Sequence, residues 1–392
     1  MSIAHCFPSF HGLGGVESVL RHHWTRDSDW GLASRFVIYR EDNSRPVDRV
    51  RFLGLDDRST IRLARQQFGE ALAAAPPDVA VWHGPWGMPF LADLDRSQRR
   101  VLVLHGEMPR LAEMLASRRD LLDGILCVSE PLAAAVRRSA PRLADERTVV
   151  VPYPISPPGG IAPRAPLGGR QLVLGFCGRL IVEQKRVDRL PKLCAALDES
   201  GLDYRLEFLG DGPERGWLEA QFPDHTRFAF HGRKDGADYW RVLAGWDVVI
   251  STSDYEGTPI AILEAMSVGA IPVFPRIGCG GDSLAAGVFG ELLYEPDDFA
   301  GVAGVLGRLC RMPGAELQSV RDRCVAAVAV NAGDAYLRTV AGFIRRVLEL
   351  PRVATGNFPR RVFPVEHLSF ATLAKLSAAR GWLRRQCGRT SS

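Results

Sequence analysis

The stretch DYEGTPIAILEAMSVGAIPVF, residues 254–274, is apolar from Thr258 onward except for one carboxylate, Glu264. Thr258 can cap a helix, Pro259 suits its first turn and Gly269 can end it, so the stretch predicts a short buried helix followed by a strand. A lone carboxylate in such a helix costs several kcal/mol unless it finds a partner. Glu264 is therefore either a structural acid paired with a buried Arg or Lys, or a group that faces a polar ligand.

Short apolar runs rich in β-branched residues alternate with longer amphipathic stretches along most of the chain. Strands that are apolar on both faces and alternate with helices indicate parallel sheets of βα units. The Pro- and Gly-rich segment 154–171 lacks periodicity and predicts a linker. The expected fold class is α/β, with two doubly wound Rossmann-like domains facing each other across a cleft. We place an N-terminal domain at 1–160, a C-terminal domain at 161–350 and a basic helical tail at 351–392.

The composition is that of a globular protein large enough for two domains. The chain has 392 residues, of which 46% are apolar and 24% charged. Its eight cysteines stand singly, so neither a disulfide framework nor a zinc site is predicted. The N-terminus lacks a signal-peptide pattern, and no uncharged apolar run reaches the ~18 residues of a membrane span. We therefore expect a soluble cytoplasmic protein with reduced thiols.

Positive charge is concentrated in the tail. Residues 351–392 carry eight Lys or Arg against one acid, Glu366, and the rest of the chain is mildly acidic. The body therefore lacks the charge pattern of a nucleic-acid-binding protein. Residues 366–386 predict an amphipathic helix, which either packs across the two domains or contacts the anionic inner face of the cytoplasmic membrane.

A first glycine cluster, HGLGGVES, follows a short N-terminal strand. Gly12, Gly14 and Gly15 allow a tight turn, and the helix that begins near Val16 would point its N-terminal amides at the cleft. Such a terminus suits an anion such as a phosphate. A plain tight turn between strand and helix explains the same glycines.

A second cluster, LGFCGRLIVEQKRVDRL, occupies residues 174–190. Its strand ends at Gly178, and Arg179 and Lys185 follow in a loop. Two cations at the carboxyl end of a strand can hold a diphosphate, Arg through its fork and Lys as a point charge. A solvated basic loop is the alternative.

Two acids and two histidines complete the candidate site. Glu256 lies eight residues before Glu264, and a pair of carboxylates facing one ligand suits the vicinal hydroxyls of a sugar. His83 and His105 each end an apolar strand, where a histidine can donate a hydrogen bond or move protons. Both histidines can equally be structural. Trp86, in HGPWG, belongs to an acceptor platform or to the core.

These segments resemble a retaining GT-B glycosyltransferase of family 4, also called glycosyl transferases group 1. Their order and spacing cover residues 1 to about 310. The motifs that carry the resemblance are Gly14-Gly15-Val16-Glu17, Gly178-Arg179-Leu180 with Lys185, Gly210-Asp211-Gly212-Pro213, and Glu256-Gly257 with Glu264-Ala265-Met266 and the following Gly269-x-x-Pro272.

The resemblance implies a role in donor binding for each matching position. Glu264 would hold the ribose hydroxyls of a nucleotide sugar, and Arg179 and Lys185 would bind its diphosphate and stabilise the leaving group. Glu256 would contact the sugar hydroxyls, and His105 would sit near the anomeric carbon. The remaining donor contacts would come from the loops at Gly14, Gly15 and Gly178, from Gly232 and Arg233 at the base, and from the backbone at Thr258, Ile260 and Ala261.

The implied activity is transfer of a sugar, with retention, from a UDP- or GDP-sugar to a saccharide or lipid-linked acceptor. Catalytic roles fall to His105, Glu256, Arg179 and Lys185, and no metal or other cofactor is expected because no DxD-like acidic pair is present. His83, Trp86 and Arg110 are the acceptor-side candidates. A bacterial role in cell-surface polysaccharide or glycolipid assembly would follow.

The chain departs from the family pattern in three places. Tyr153-Pro154 replaces the common Asn-Gly, Pro259 removes an amide donor, and residues 279–290 only loosely match the usual glycine turn. A sugar-nucleotide epimerase of the same architecture and a non-catalytic nucleotide-sugar-binding module remain as alternatives. A dinucleotide dehydrogenase is disfavoured because GxGxxG is missing.

Overall fold

A computed structural model describes residues 1–12, 14–95, 97–106, 111–143, 145–158, 167, 169–331, 333–353 and 365–376. The N-terminal part forms a seven-stranded, fully parallel sheet in the order β3-β2-β1-β4-β5-β6-β7. Its strands are β1 (Ser2–Phe7), β2 (Ala33–Ile38), β3 (Val50–Phe52), β4 (Val79–His83), β5 (Arg99–Leu104), β6 (Gly124–Cys127) and β7 (Thr148–Val150).

The C-terminal part forms a second parallel sheet of six strands in the order β10-β9-β8-β11-β12-β13. In both sheets the first strand along the chain, β1 or β8, lies where the strand order reverses, which is where doubly wound sheets bind ligands. The predicted α/β class with two doubly wound sheets is confirmed. The strands of the second sheet are β8 (Leu172–Cys177), β9 (Tyr204–Leu209), β10 (Phe228–Gly232), β11 (Val248–Ile250), β12 (Ile271–Pro275) and β13 (Leu293–Tyr294).

Helices cover both sheets, and their apolar faces pack against the buried strands. Along the described ranges, no helix is both long and apolar enough to cross a bilayer. The α-helices are α1 (Gly15–Arg26), α2 (Ile61–Ala73), α3 (Leu111–Arg118), α4 (Glu130–Ser139), α5 (Leu190–Glu199), α6 (Arg215–Gln221), α7 (Gly236–Gly245), α8 (Ile260–Ser267), α9 (Gly280–Val288), α10 (Phe299–Arg311), α11 (Gly314–Ala327) and α12 (Ala335–Glu349).

The last long helix, α12, returns to the first sheet. Phe343 and Val347 lie so close to Gly124, in β6, that a side chain at position 124 would come within 2.9 Å of both. Arg99 strengthens this contact by donating hydrogen bonds to the carbonyl oxygens of Leu348 and Leu350, at 3.0 and 2.6 Å. The chain therefore crosses between the sheets twice, after β7 and before α12. The domain boundaries given above stay a prediction.

Part of the basic tail packs on the N-terminal domain. Ser369 forms an antiparallel bridge with Thr60, and Glu366 pairs with Arg65 of α2. The chain is helical from 370 to 376, and the Phe370 and Trp86 rings make a T-shaped contact at 5.2 Å between centroids. These contacts show that the first half of the predicted helix 366–386 packs on the N-terminal domain, whereas packing across both domains stays a prediction. Residues 377–386 lie outside the described residues.

A glycine in the central strand β8 is required by a buried tryptophan. A side chain at Gly175 would collide with the indole ring of Trp246, which is fully buried and donates to Glu207 at 3.0 Å. We therefore expect Gly175→Ala to lower the free energy of unfolding by roughly 1–3 kcal/mol through overpacking. Gly342→Ala is the matched control: position 342 is exposed within α12 with open space around it, so alanine there should stabilise by about 0.5–1 kcal/mol. Chemical denaturation measures the change in unfolding free energy of each variant. Equal changes in the two variants would contradict the packing argument.

Candidate functional site

The loop between β1 and α1 is held by the carboxylate of Glu41. Its Oε1 accepts hydrogen bonds from the Ser9 hydroxyl at 2.6 Å and from the amides of Phe10 and His11 at 3.1 and 3.2 Å. This anchoring places the glycine cluster at the carboxyl end of β1, as the sequence predicted.

The helix that follows begins at Gly15, and the carboxylate of Glu17 folds back over the turn. A side chain at Gly12 or Gly14 would meet that carboxylate. An anion at a helix N-terminus is favoured by the unpaired amides and the helix dipole. A donor phosphate at these amides would therefore have to displace Glu17. Gly15 also faces the other domain, since a side chain there would come within 3.0 Å of Ile260.

The second sheet contributes a buried ion pair at the carboxyl end of β8. The Lys185 ammonium lies 2.5 Å from Glu256 Oε1, and an added side chain at Gly178, where φ is +152°, would touch the Lys185 chain at 3.2 Å. Glu256 also accepts from the Ser253 hydroxyl at 2.8 Å and from the Gln184 amide at 3.2 Å. The structure thus brings two predicted site residues, Lys185 and Glu256, into direct contact.

Arg179 differs from Lys185. Its side chain is exposed, and among the described residues no carboxylate pairs with it. A cation that is already next to a strand end and is not neutralised is available to an anionic ligand. Gly232, buried at the end of β10, has φ +65° and accepts from the Gly210 amide at 2.9 Å, and the neighbouring Arg233 is exposed.

Glu264 lies on α8, only partly buried, and its partner is a tyrosine rather than a core cation. The Tyr239 hydroxyl donates a short hydrogen bond to Oε2 and lies 3.8 Å from the Cys177 sulfur. Burial raises the pKa of Glu264 to about 7, although the Tyr239 hydrogen bond opposes the shift. Because no Arg or Lys pairs with it in the described part of the chain, the carboxylate is a half-ionised group near neutral pH.

The loop before α8 contacts the N-terminal domain across the cleft. Gly257 forms an antiparallel bridge with Gly106, and a side chain at position 257 would collide with the His105 carbonyl oxygen. The Thr258 hydroxyl donates to the carbonyl oxygen of Val128 at 3.1 Å. The prediction that Thr258 caps the helix is wrong: Pro259 is the N-cap residue, no side chain caps α8, and the threonine instead bonds across the cleft.

His105 is one end of a row of three hydrogen-bonded imidazoles, the other two being His83 and His5. These rings, with Asp27 beside His5 and Tyr153 beside His105, are here called the imidazole chain. His105 Nδ1 lies 2.6 Å from the Tyr153 hydroxyl and its Nε2 lies 3.0 Å from His83 Nδ1. His83 Nε2 in turn lies 3.0 Å from His5 Nδ1, and His5 Nε2 is 3.3 Å from Asp27 Oδ2. Both ring nitrogens of His105 are thus engaged by the protein.

Burial keeps these imidazoles neutral. Desolvation, reinforced by the charge that His23 would carry, lowers the pKa of His105 to about 3, and burial likewise lowers the pKa of His5 to about 4. His83 is 2% exposed, and burial holds its pKa well below the usual range. A ring this deeply buried offers no surface to an acceptor, which argues against the predicted acceptor contact of His83.

The other two acceptor-side candidates are Trp86 and Arg110. Trp86 is half-buried, stacks on Tyr39 at 4.3 Å between ring centroids and makes a T-shaped contact with Phe370. Its assignment to an acceptor platform or to the core stays a prediction. Arg110 lies outside the described residues.

Several residues of the site were missed by sequence reasoning. Tyr239, Ser253 and Gln184 satisfy the two acids, and Tyr153 and Asp27 end the imidazole chain. Tyr153 had a signal, because it stands where the resembling family has Asn, but nothing local links residue 27 to residue 105. The structure also gathers His5, His23 and Asp27, whose ligand atoms lie within 4.8 Å of one another.

Two Rossmann-like domains whose carboxyl-end loops meet in this way define the GT-B architecture. Residues 171–311, in the C-terminal part of the chain, match the family model Glycosyl transferases group 1. A solved structure with the same architecture is the lipopolysaccharide outer core galactosyltransferase WaaB in its apo form. It superposes with a TM-score of 0.67, covering 88% of this chain and 99% of that one at 18% identity, which shows the shared fold.

The curated relatives align with only part of this chain. A GDP-mannose-dependent alpha-mannosyltransferase of Corynebacterium glutamicum is 30% identical over 180 residues, which are 44% of this chain and 41% of that protein. A GDP-mannose-dependent alpha-(1-6)-phosphatidylinositol dimannoside mannosyltransferase of Mycobacterium tuberculosis is 36% identical over 110 residues, 27% of this chain and 28% of that protein. The aligned regions span less than half of either relative.

The raised pKa of Glu264 predicts a pH-dependent stability. A carboxyl whose pKa is higher in the folded than in the unfolded chain contributes stability that is present below pH 4.5 and is lost as the pH rises through about 7. Glu264→Gln cannot titrate, so its unfolding free energy relative to the parent should rise by up to about 3 kcal/mol over that interval. Denaturation across this pH range measures the difference, with Glu199→Gln, at the exposed end of α5, as the control for charge removal. A difference in unfolding free energy that stays constant with pH would contradict the raised pKa of Glu264.

Proposed function

We propose that the protein is a glycosyltransferase that moves a sugar from a nucleotide-sugar donor to an acceptor hydroxyl. The observation that carries the proposal is the buried Lys185–Glu256 pair, located in the family-matched domain where its loop meets His105 and Gly106 of the other domain. An exposed, unneutralised Arg179 and a partly ionised Glu264 complete a set of groups suited to a sugar nucleotide.

In the proposed donor complex, the cations hold the diphosphate and the acids hold hydroxyls. Arg179 binds the phosphates through its guanidinium fork. The Lys185 ammonium interacts with the phosphates as well as with Glu256. Glu256, already held by Ser253, then accepts from the hydroxyls of the donor sugar. Glu264 accepts from the ribose hydroxyls, a role that favours its ionised form and hence lowers its pKa on binding.

The base and the first phosphate contacts come from backbone. Gly232 and Arg233 line the proposed base position, and the amides at Gly178, Thr258, Ile260 and Ala261 approach the donor. Gly14 and Gly15 would reach the phosphates from the opposite domain once Glu17 moves aside. The GDP-mannose dependence of the two mannosyltransferase relatives makes a GDP-sugar the first candidate donor and a UDP-sugar the second.

Transfer then needs charge stabilisation more than covalent catalysis. As the bond between the anomeric carbon and the phosphate oxygen breaks, negative charge grows on the diphosphate, where Arg179 and Lys185 stabilise it without a requirement for a metal ion. The acceptor oxygen attacks from the same face, and its proton passes to the departing phosphate oxygen. The product therefore keeps the anomeric configuration of the donor. His105, with both nitrogens engaged, shapes the site beside the anomeric carbon rather than moving the proton.

The acceptor is proposed to be a saccharide or a lipid-linked saccharide of a bacterial cell-surface polymer or glycolipid. The names of the relatives include a phosphatidylinositol dimannoside mannosyltransferase and a lipopolysaccharide galactosyltransferase. A cytoplasmic enzyme of this kind would meet such acceptors at the membrane, where the basic part of the tail beyond residue 376 could contact anionic lipid.

A panel of GDP-, UDP-, dTDP- and ADP-sugars tests the function. We expect one or two of them to release free nucleotide diphosphate, with faster release when a saccharide acceptor is supplied and with a product of the donor's anomeric configuration. Conversion to another sugar nucleotide without an acceptor would instead identify an epimerase. Tight binding without any turnover would identify a binding module, and an inverted product would exclude the retaining mechanism.

The two cations provide the sharpest variants. Lys185→Ala and Arg179→Ala should each remove most turnover, by on the order of 100-fold, because charge on the leaving diphosphate is no longer stabilised. Lys192→Ala, on the exposed face of α5, is the matched control and should keep the parent rate. Steady-state kinetics with the donor found in the panel measures the effect.

Loss of Lys185 also leaves Glu256 buried without its cation, so stability must be separated from catalysis. The double variant Lys185→Ala/Glu256→Gln removes both charges and should recover much of the lost stability, but none of the turnover. Recovery of turnover in the double variant would show that Lys185 serves only to balance Glu256.

A further inference from the structure

The imidazole chain ends in two groups of different chemistry. At one end is the carboxylate of Asp27, which is 0% exposed. In its ionised form this group can accept hydrogen bonds but cannot donate one. Its Oδ1 lies 2.8 Å from His23 Nδ1, and its Oδ2 accepts from the Ser34 hydroxyl and faces His5. Burial alone would raise the pKa of Asp27, but the His23 and His5 imidazoles outweigh it and lower the pKa. Asp27 is therefore an ionised carboxylate at neutral pH.

An ionised Asp27 selects one direction for every hydrogen bond in the chain. Each neutral imidazole has one N–H, and the proton of His5 belongs on Nε2, because a lone pair there would face the Asp27 carboxylate at 3.3 Å. His5 Nδ1 then accepts from His83 Nε2–H. His83 Nδ1 accepts from His105 Nε2–H, and His105 Nδ1 accepts from the Tyr153 hydroxyl.

A second branch leaves the same carboxylate. His23 Nδ1 lies 2.8 Å from Asp27 Oδ1, and its Nε2 lies 2.9 Å from the Tyr336 hydroxyl. Tyr336 belongs to α12, and Tyr153 belongs to the segment after β7, where its carbonyl oxygen accepts from Asn331 at 2.7 Å. Both branches therefore end at a buried tyrosine in one of the two segments that join the domains.

We propose that Asp27 is a positioning residue that acts through His5 and His83 to hold His105 as its Nε2–H tautomer and to fix the orientation of that ring. The tautomer of a histidine is set by the partner of its other nitrogen. The buried charge 3.3 Å from His5 Nε2 therefore decides, through the two hydrogen bonds between imidazoles, which nitrogen of His105 is protonated. The Tyr153 hydroxyl also lies 3.4 Å from the His105 carbonyl oxygen, and a side chain at Gly257 would collide with that oxygen. Only the effect on turnover rests on the proposed function.

Nuclear magnetic resonance of the full-length protein labelled with ¹⁵N-histidine tests the tautomer directly. His105→Gln, which removes one set of signals, assigns the ring. At slightly alkaline pH we expect His105 Nε2 to give the signal of a protonated nitrogen and Nδ1 that of an unprotonated one. The opposite assignment in the parent protein would overturn the proposal.

Asp27→Asn removes the charge and keeps the shape. The asparagine amide can donate to His5 Nε2 as well as accept, so the direction is no longer selected and the His105 Nε2 signal should shift toward the unprotonated type. Ser34→Ala removes a hydrogen bond to the Asp27 carboxylate but leaves its charge. It should lower the stability of the protein without changing the His105 tautomer. Asp29→Asn makes the same exchange at an exposed site in the same turn. It should change neither the stability nor the His105 tautomer. An unchanged His105 tautomer in a folded Asp27→Asn protein would overturn the proposal.

His83→Gln covers the case in which Asp27→Asn does not fold. It interrupts the chain in the middle while Asp27 keeps His5 and His23, and it should release the His105 tautomer in the same way. Unchanged His105 signals in this variant would equally contradict the proposal.

Activity and metal content give the remaining readouts. Asp27→Asn should lower kcat on the order of 10-fold with little change in the donor KM, because a misplaced ring disturbs the reacting geometry. A parent protein that transfers no sugar would refute the proposed function and leave the tautomer result intact. Stoichiometric metal in the purified protein, bound by His5, His23 and Asp27, would overturn the proposal, since the same atoms would then be ligands.

Discussion

The close approach of Gly257 to the His105 carbonyl oxygen is the contact on which the site depends. It joins the loop before α8 to the carboxyl end of β5, and the Thr258 hydroxyl adds a hydrogen bond to the loop after β6. Only a residue without a side chain fits at this point, because a Cβ would collide with the carbonyl. The two sheets therefore meet where their ligand-binding edges are, and Glu256, the residue before Gly257, is held in the cleft between them.

Electrostatics at the site follow from how each charge is partnered. Glu256 is balanced by Lys185 and two neutral donors, so burial of this pair is tolerated. Glu264 has only the Tyr239 hydroxyl, and its pKa rises to about 7. One acid is thus paired with a cation, and the other, Glu264, can change its charge when a ligand supplies hydrogen bonds.

Much of the architecture was predictable because parallel βα units have a local signature. The apolar strand predicted to end at His83 is β4, and the segment 154–171 lies between β7 and β8. The cap at Thr258 was predicted wrongly, since a threonine before a proline is the usual signal of a helix start. Its hydroxyl bonds instead to Val128, a residue 130 positions away, which no local pattern reports.

The sequence by itself determined the α/β class, the two doubly wound sheets and the positions of Arg179, Lys185, Glu256 and Glu264 at strand ends or in the following helix, because spacing and polarity along the chain carry that information. Only the tertiary structure decided which side chains share a hydrogen bond. His5, His83 and His105 come into contact because β1, β4 and β5 are neighbours in the sheet. Each histidine lies two residues beyond the register partner of the one before it, since His5 pairs with Val81 and His83 with Val103. That adjacency depends on strand order, and strand order is a property of the folded sheet.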